Sequence, residues 1–319
     1  MCGGCFQVSL TNFFLTGSDA KWSERKVGNL MLSSVYEYVD SNKAERLREC
    51  ARWLNFKCFD DGVRKLELAN FCRIRLCPIC SWRRSLKIFS QMCSIFENLG
   101  CLNDCRRYKY LFLTLTVKNV IGVNLSAQID KLNLGWRKFV RYKEFSGSVV
   151  GWYRGLEVTH NLSLGSDSYD TYHPHFHCFL VVDESYFSHR YVDHDRWVKL
   201  WKRAMKLDYE PQVDIRCFRG EIFKSFREVT KYSVKPQDYL VPNDLDLSVD
   251  TVRILDKALD KRRFVAFGGI LKRLHSRLRL EDEDEADLVH IGSQVSSDEL
   301  YRTVKYFFST GYNQYIQQD

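Results

Sequence analysis

An α+β fold is predicted, with a central antiparallel sheet, flanking helices and a small cysteine-rich element able to hold zinc. Three observations predict it. Tyr108–Val117, Val149–Thr159 and His175–Val182 are rich in β-formers. Stretches between and after them carry apolar residues at helical spacing. Most cysteines fall between residues 46 and 105. The chain therefore divides into an N-terminal segment (1–45), a cysteine-rich element (46–105), a core (106–240) and a C-terminal region (241–319) read as helical.

In order along the chain, residues 1–45 are mixed in pattern, and Cys2-Gly-Gly-Cys5 reads as a frayed end. Ser81–Phe96 has helical periodicity, with Ser81 as its N-cap. Tyr108–Val117 alternates as a strand. Residues 125–143 form an amphipathic helix carrying Leu132, Leu134, Trp136 and Phe139. Val149–Thr159 and His175–Val182 are strands joined by a polar hairpin loop from Asn161. Arg196–Met205 and Ile222–Lys235 are helices, the second stopped by Pro236. A basic helix over about 253–279, an acidic solvated loop (Glu281–Asp287) and a closing helix near Asp298–Phe308 complete the expectation.

The 319 residues are 45% hydrophobic with only 5 prolines, which supports a sizeable core and argues against extensive disorder. A net charge of +8 favours a polyanionic partner. No apolar run approaches the roughly 18 residues of a membrane span, and the N-terminus lacks a signal-peptide pattern. A reducing cytoplasm is expected, so the clustered members of the 12 cysteines read as metal ligands.

Cys72-Arg-Ile-Arg-Leu-Cys77-Pro-Ile-Cys80 is a Cx4CxxC pattern. Its last turn aims two thiolates at one point. A structural zinc wants four ligands, and Cys50 and Cys58 both qualify as the fourth. The adjacent Arg83 and Arg84 suggest a basic surface for DNA.

His175 and His177 lie two apart on a strand and so share one face, while Phe176 and Cys178 point the other way. Two imidazoles can grip a divalent metal. If the strands on either side of the polar loop are antiparallel neighbours, Glu157 approaches the pair. Imidazoles alone favour Zn²⁺ or Mn²⁺, and phosphate oxygens make Mg²⁺ or Mn²⁺ suitable. In Glu228-Val-Thr-Lys231-Tyr232-Ser-Val-Lys235, the named side chains share one face of the expected helix. A phenol attacks phosphate only if its phenolate is stabilised, a task for Lys231, Lys235 or the metal. Glu228 is placed to activate water or a second attacking group later.

These residues resemble the rolling-circle plasmid replication initiators (Rep proteins) of the HUH endonuclease superfamily, in the single-tyrosine branch with an associated glutamate. Phe112–Asn119 resembles their first motif, His173–Leu180 the HUH motif and Glu228–Lys235 the tyrosine motif. Phe71–Arg84 and Trp201–Asp214 also match, so the resemblance covers roughly residues 46–240. It implies that Tyr232 cleaves one strand at the plasmid origin, keeps the 5′-phosphate and releases a 3′-OH. It implies that His175, His177 and Glu157 hold the metal and that Glu228 serves termination. Cys50-Ala-Arg-Trp-Leu-Asn-Phe-Lys57 matches a family pattern that favours Cys50 as the fourth zinc ligand. Cys178 replaces a usual aliphatic residue, and the first 45 and last 80 residues match no motif. With no GxxxxGK[ST] motif in the chain, unwinding implies a host helicase, with a host DNA polymerase extending the 3′-OH.

Two other readings compete. A non-catalytic zinc-containing DNA-binding regulator explains the cysteines and charge but not the joint occurrence of Tyr232, Glu228 and the histidines. A metallohydrolase without a covalent step needs further ligands, for which His189 and His194 are the candidates.

Overall fold

The computed structural model describes residues 19–100, 108–218, 230, 234–283, 286–291 and 300–318. In chain order the elements are α1 (Asp19–Tyr36), α2 (Ser41–Glu49), β1 (Trp53–Phe59), β2 (Arg64–Ala69), α3 (Pro78–Gly100), β3 (Tyr108–Leu115), α4 (Leu125–Phe139) and α5 (Lys143–Ser148). They continue with β4 (Val149–Asn161), β5 (Thr171–Asp183), α6 (Tyr186–His189), α7 (His194–Met205), β6 (Val213–Cys217), α8 (Leu245–Leu259), β7 (Val265–Gly268), α9 (Gly269–Arg277), β8 (Tyr301–Ser309) and β9 (Gln314–Gln318). The α+β class holds, with two antiparallel sheets among the described residues.

The chain folds as two compact units, Met1–Lys87 with Asp287–Asp319, and Ile88–Ala286. The first holds a four-stranded sheet in the order β2-β1-β8-β9. Its inner face packs on α1 through Trp22, whose ring meets Trp82 at 4.8 Å and Phe56 at 6.3 Å edge-on. Such edge-to-face contacts favour the ring quadrupoles while burying large apolar area. Asp40 caps α2 by accepting from the Lys43 amide at 3.0 Å.

The second unit holds a five-stranded sheet in the order β6-β3-β5-β4-β7. β5 lies at its centre. Helices α4 and α7 cover the face bearing Phe176: Trp136 lies 5.9 Å from Phe176, and Trp201 lies 5.5 Å from Phe139. His175 and His177 therefore project from the opposite face, as the strand period requires.

Four local expectations are corrected. Helix α3 begins at Pro78, not Ser81. Proline suits a first helical position because its missing N–H has no partner to lose there; the Ser81 hydroxyl donates instead to the Arg75 carbonyl. The basic stretch 253–279 is not one helix but the end of α8, strand β7 and helix α9. Helix α8 ends at Leu259, and the chain turns from β7 into α9 at Gly269, whose φ of +56° favours glycine and where a Cβ would meet the Val150 carbonyl oxygen at 2.2 Å. The closing segment is not a helix: Tyr301–Ser309 is β8, paired with β1 along its length. The acidic loop is only partly solvated, because the Glu283 carboxylate accepts from the Phe264 and Val265 amides at 3.1 and 3.2 Å.

Candidate functional site

Three neighbouring strands build the site in the second unit. Register places Glu157 of β4 opposite His175 of β5, Gly155 opposite His177, and Thr114 of β3 opposite His177 on the other side. Gly155 has no side chain, so Glu157 can lean diagonally toward His177. Its Oε2 lies 2.9 Å from His177 Nε2 and 3.5 Å from His175 Nε2. The two Nε2 atoms are 3.1 Å apart. Lone pairs this close repel unless a proton or cation lies between them.

The surroundings orient the imidazoles. His175 Nδ1 lies 3.0 Å from the His173 carbonyl oxygen and donates to it, which leaves its Nε2 as the acceptor. His177 Nδ1 is 3.2 Å from Thr114 Oγ1, and its ring stacks on Phe112. Burial pushes Glu157 up, but the adjacent imidazoles of His175 and His177 outweigh it and hold the carboxyl well below its usual range. Glu157, His175 and His177 offer ligand atoms all within 4.8 Å of one another. Two imidazoles and a carboxylate suit a divalent first-row metal or Mg²⁺ and leave coordination positions open.

Lys235 joins this group, with Nζ 3.2 Å from Glu157 Oε1. It is not helical: its φ of −93° and ψ of 150° are extended, as a residue before proline prefers. Sequence reasoning had set it on a helix facing the phenol. Asp238 anchors the same segment, because its Oδ2 accepts from the Lys235 amide at 2.9 Å. The Asp238 carbonyl in turn lies 3.1 Å from the ring of His160 on β4. His160 and Asp238 were missed by sequence reasoning; no local motif marks them. Glu228, Lys231 and Tyr232 lie outside the described residues. Thr230 and Val234, on either side of Tyr232, are both buried.

The first unit assembles Cys50, Cys72, Cys77 and Cys80, all buried. Cys58 sits apart on β1. Neighbouring sulphurs are 3.6–3.7 Å apart, too far for a disulfide. A tetrahedron with metal–sulphur bonds of about 2.3 Å has edges of about 3.8 Å. The amides of Cys72, Arg73 and Cys80 and the Asn29 side chain donate to these sulphurs at 3.2–3.5 Å. Buried Lys26 donates to the Cys50 carbonyl at 2.7 Å, adding positive charge beside the cluster. Burial pushes the Cys50 and Cys72 thiols up.

Arg83 and Arg84, expected to contact DNA, are used internally. Both are buried. Arg83 donates to the carbonyls of Leu288 and Val289 at 2.7 and 2.8 Å, and Arg84 to that of Arg73 at 2.6 Å. Burial lowers the Arg83 pKa to about 9. Arg83→Ala is expected to cost about 2–3 kcal/mol by stranding two carbonyls. Thermal melts check that loss. The salt dependence of DNA binding, measured beside them, should not change.

His189 and His194 add nothing to the metal group: His189 contacts Ser188, and His194 contacts the Val213 carbonyl. No described helix is long and apolar enough to cross a membrane.

A family model described as "Replication protein" matches residues 63–316. The chain belongs to the Rep family of plasmid replication proteins. It is 40% identical over 303 residues to "Protein rep" of Bacillus amyloliquefaciens, covering 86% of this chain and 87% of that one. It is 34% identical over 293 residues to "Protein rep" of Lentilactobacillus hilgardii, covering 89% and 90%. No solved structure matches. The family match reaches residue 316 and so corrects the expectation that the last 80 residues resemble nothing known. In this Rep protein those residues supply β7 and both C-terminal strands of the first sheet.

Proposed function

We propose that this Rep protein starts rolling-circle replication by nicking one strand of its plasmid origin through Tyr232. The observation that carries the reading is the convergence of Glu157, His175 and His177 at the centre of the sheet, with Lys235 paired to Glu157. Two residues lie between Tyr232 and Lys235, so their Cα atoms are at most about 11 Å apart when the chain is extended. The phenol is thereby tethered near the proposed metal ligands.

Tyr232 Oη attacks the scissile phosphorus; the new Oη–P bond replaces the bond to the 3′-oxygen. The phenolic proton passes to solvent, and the departing 3′-oxygen takes one from water. The products are a 5′-phosphotyrosine and a free 3′-OH primer. A bound Mg²⁺ or Mn²⁺ would supply Lewis-acid polarisation of the scissile phosphate. Lys235 keeps Glu157 ionised and oriented, Lys231 contacts DNA phosphate, and Glu228 activates water or a second nucleophile at termination. The four buried cysteines hold a structural zinc. The four reduced thiols suit a reducing bacterial cytoplasm, where host helicase and polymerase would continue from the nick.

The test is cleavage of a labelled single-stranded origin oligonucleotide with Mn²⁺ or with EDTA, read as a covalent adduct on a denaturing gel. A metal-dependent adduct supports the reading; binding without cleavage under any metal favours the non-catalytic regulator. Glu157→Gln is expected to weaken Mn²⁺ binding by at least about tenfold, as read by titration calorimetry, because a charged ligand is lost.

A further inference from the structure

Strand β8 alternates along its length. Tyr301, Thr303, Lys305 and Phe307 point to one face, and Val304 and Phe308 are buried on the other. Pairing with β1 sets Tyr301 opposite Phe59 and Phe307 opposite Trp53. The outer face of the first sheet thus carries two aromatic pairs near opposite ends of β8, roughly 20 Å apart at the rise of a strand. Between them, Lys57 lies opposite Thr303 and Lys305 opposite Asn55. Tyr301 and Phe307 are 47% and 36% exposed, although large aromatic rings are costly to leave in water.

Cations lie over these rings. Lys57 Nζ is 4.3 Å from the Tyr301 ring centroid, and the Arg52 guanidinium is 5.9 Å from that of Phe307. Lys57 also pairs with Glu67 at 3.4 Å, and Arg52 with Glu49 at 2.9 Å. Such surface pairs are weak and exchange readily for other anions. A dry protein interface wants a contiguous apolar centre, whereas here the centre is polar and basic. Flat rings for stacking, with flexible cations between them, match single-stranded nucleic acid: bases take the rings and phosphates take the lysines.

We propose that the outer face of the β2-β1-β8-β9 sheet is a stacking platform for single-stranded DNA. Tyr301 and Phe307 are its principal stacking residues, and Lys57 and Lys305 its phosphate contacts. The choice of DNA over RNA rests on the reading that this Rep protein works on an origin. The length of the face accommodates on the order of four nucleotides.

The experiment is fluorescence anisotropy of the full-length protein with a labelled oligothymidylate of about twelve nucleotides, which carries no origin sequence. Tyr301→Ala with Phe307→Ala is expected to weaken binding at least about tenfold, since each stacked base contributes about that much. Tyr301→Phe, which keeps the ring, should retain affinity. Lys57→Gln with Lys305→Gln should reduce the slope of log affinity against log salt by about 1.4. Circular dichroism checks that each variant folds. Unchanged affinity in the folded double-alanine variant overturns the proposal. Loss of a wild-type dimer in that variant without loss of DNA binding also overturns it, and makes the face a self-association surface. The adduct assay on wild type separates the two readings. Oligothymidylate binding that depends on these rings, with no adduct at the origin, defeats the nicking reading alone. An adduct with ring-independent binding defeats this one alone.

Discussion

Tyr232→Phe is expected to abolish the covalent DNA adduct and to lower origin nicking by about 10⁴-fold or more, the scale on which removing a nucleophile acts. The substitution removes one oxygen and keeps the ring, so folding and DNA affinity should stay near wild type. Glu157, His175 and His177 remain in place, and Mn²⁺ affinity measured by calorimetry should not move. The paired readout discriminates mechanisms. If nicking persists without an adduct in Tyr232→Phe, water is the nucleophile and the metal group works as a hydrolase. If both nicking and metal affinity fall, the tyrosine acts through the fold and not through attack.

The second large effect is expected at the cysteine cluster. Cys77→Ser should release zinc and cost about 3–5 kcal/mol or more, because structural zinc sites contribute their binding energy to folding. Cys77 is fully buried, with sulphur neighbours at Cys50, Cys72 and Cys80 and a hydrogen bond from Asn29 at 3.2 Å. Burial pushes its thiol up, but hydrogen bonds from the other three cysteines outweigh this and hold it well below the ordinary range. Cys50 and Cys72 are raised by burial and must lose protons when metal binds, so zinc should leave as pH falls. Elemental analysis should find one zinc per wild-type chain, and a chelator should reproduce the variant's lowered melting temperature. Wild type that carries no zinc, or a Cys77→Ser melt unchanged from it, would sink the assignment. Cys58→Ser should change neither, since Cys58 lies apart on β1.

Much of the site was legible because it is written in local spacing. His175 and His177 share a face wherever that segment is a strand, and a strand was evident from its β-formers. Cys72, Cys77 and Cys80 fall within one short stretch, so their convergence needs only a turn. Errors arose where local pattern was ambiguous. Tyr301–Ser309 overlaps the expected closing helix, yet its alternation suits a sheet, and pairing with β1 decided the matter. Arg83 and Arg84 look like surface charge in sequence. Their fate depended on whether distant carbonyls would take them, and Leu288 and Val289 took Arg83.

The sequence by itself determined the class of fold, the donor chemistry of both candidate metal groups and the kinship with Rep proteins. Strand period and ligand spacing act over a few residues and can be read in one dimension. Tertiary structure alone decided that Lys235 pairs with Glu157; Glu157 and Cys50 were already implied by the family resemblance, and the fold brings them within reach of the histidines and of the other cysteines. It also decided that the last strands complete the first sheet. These outcomes depend on register between segments far apart in the chain. Register is set by burying one face of each strand against a shared core, a constraint that no short stretch carries.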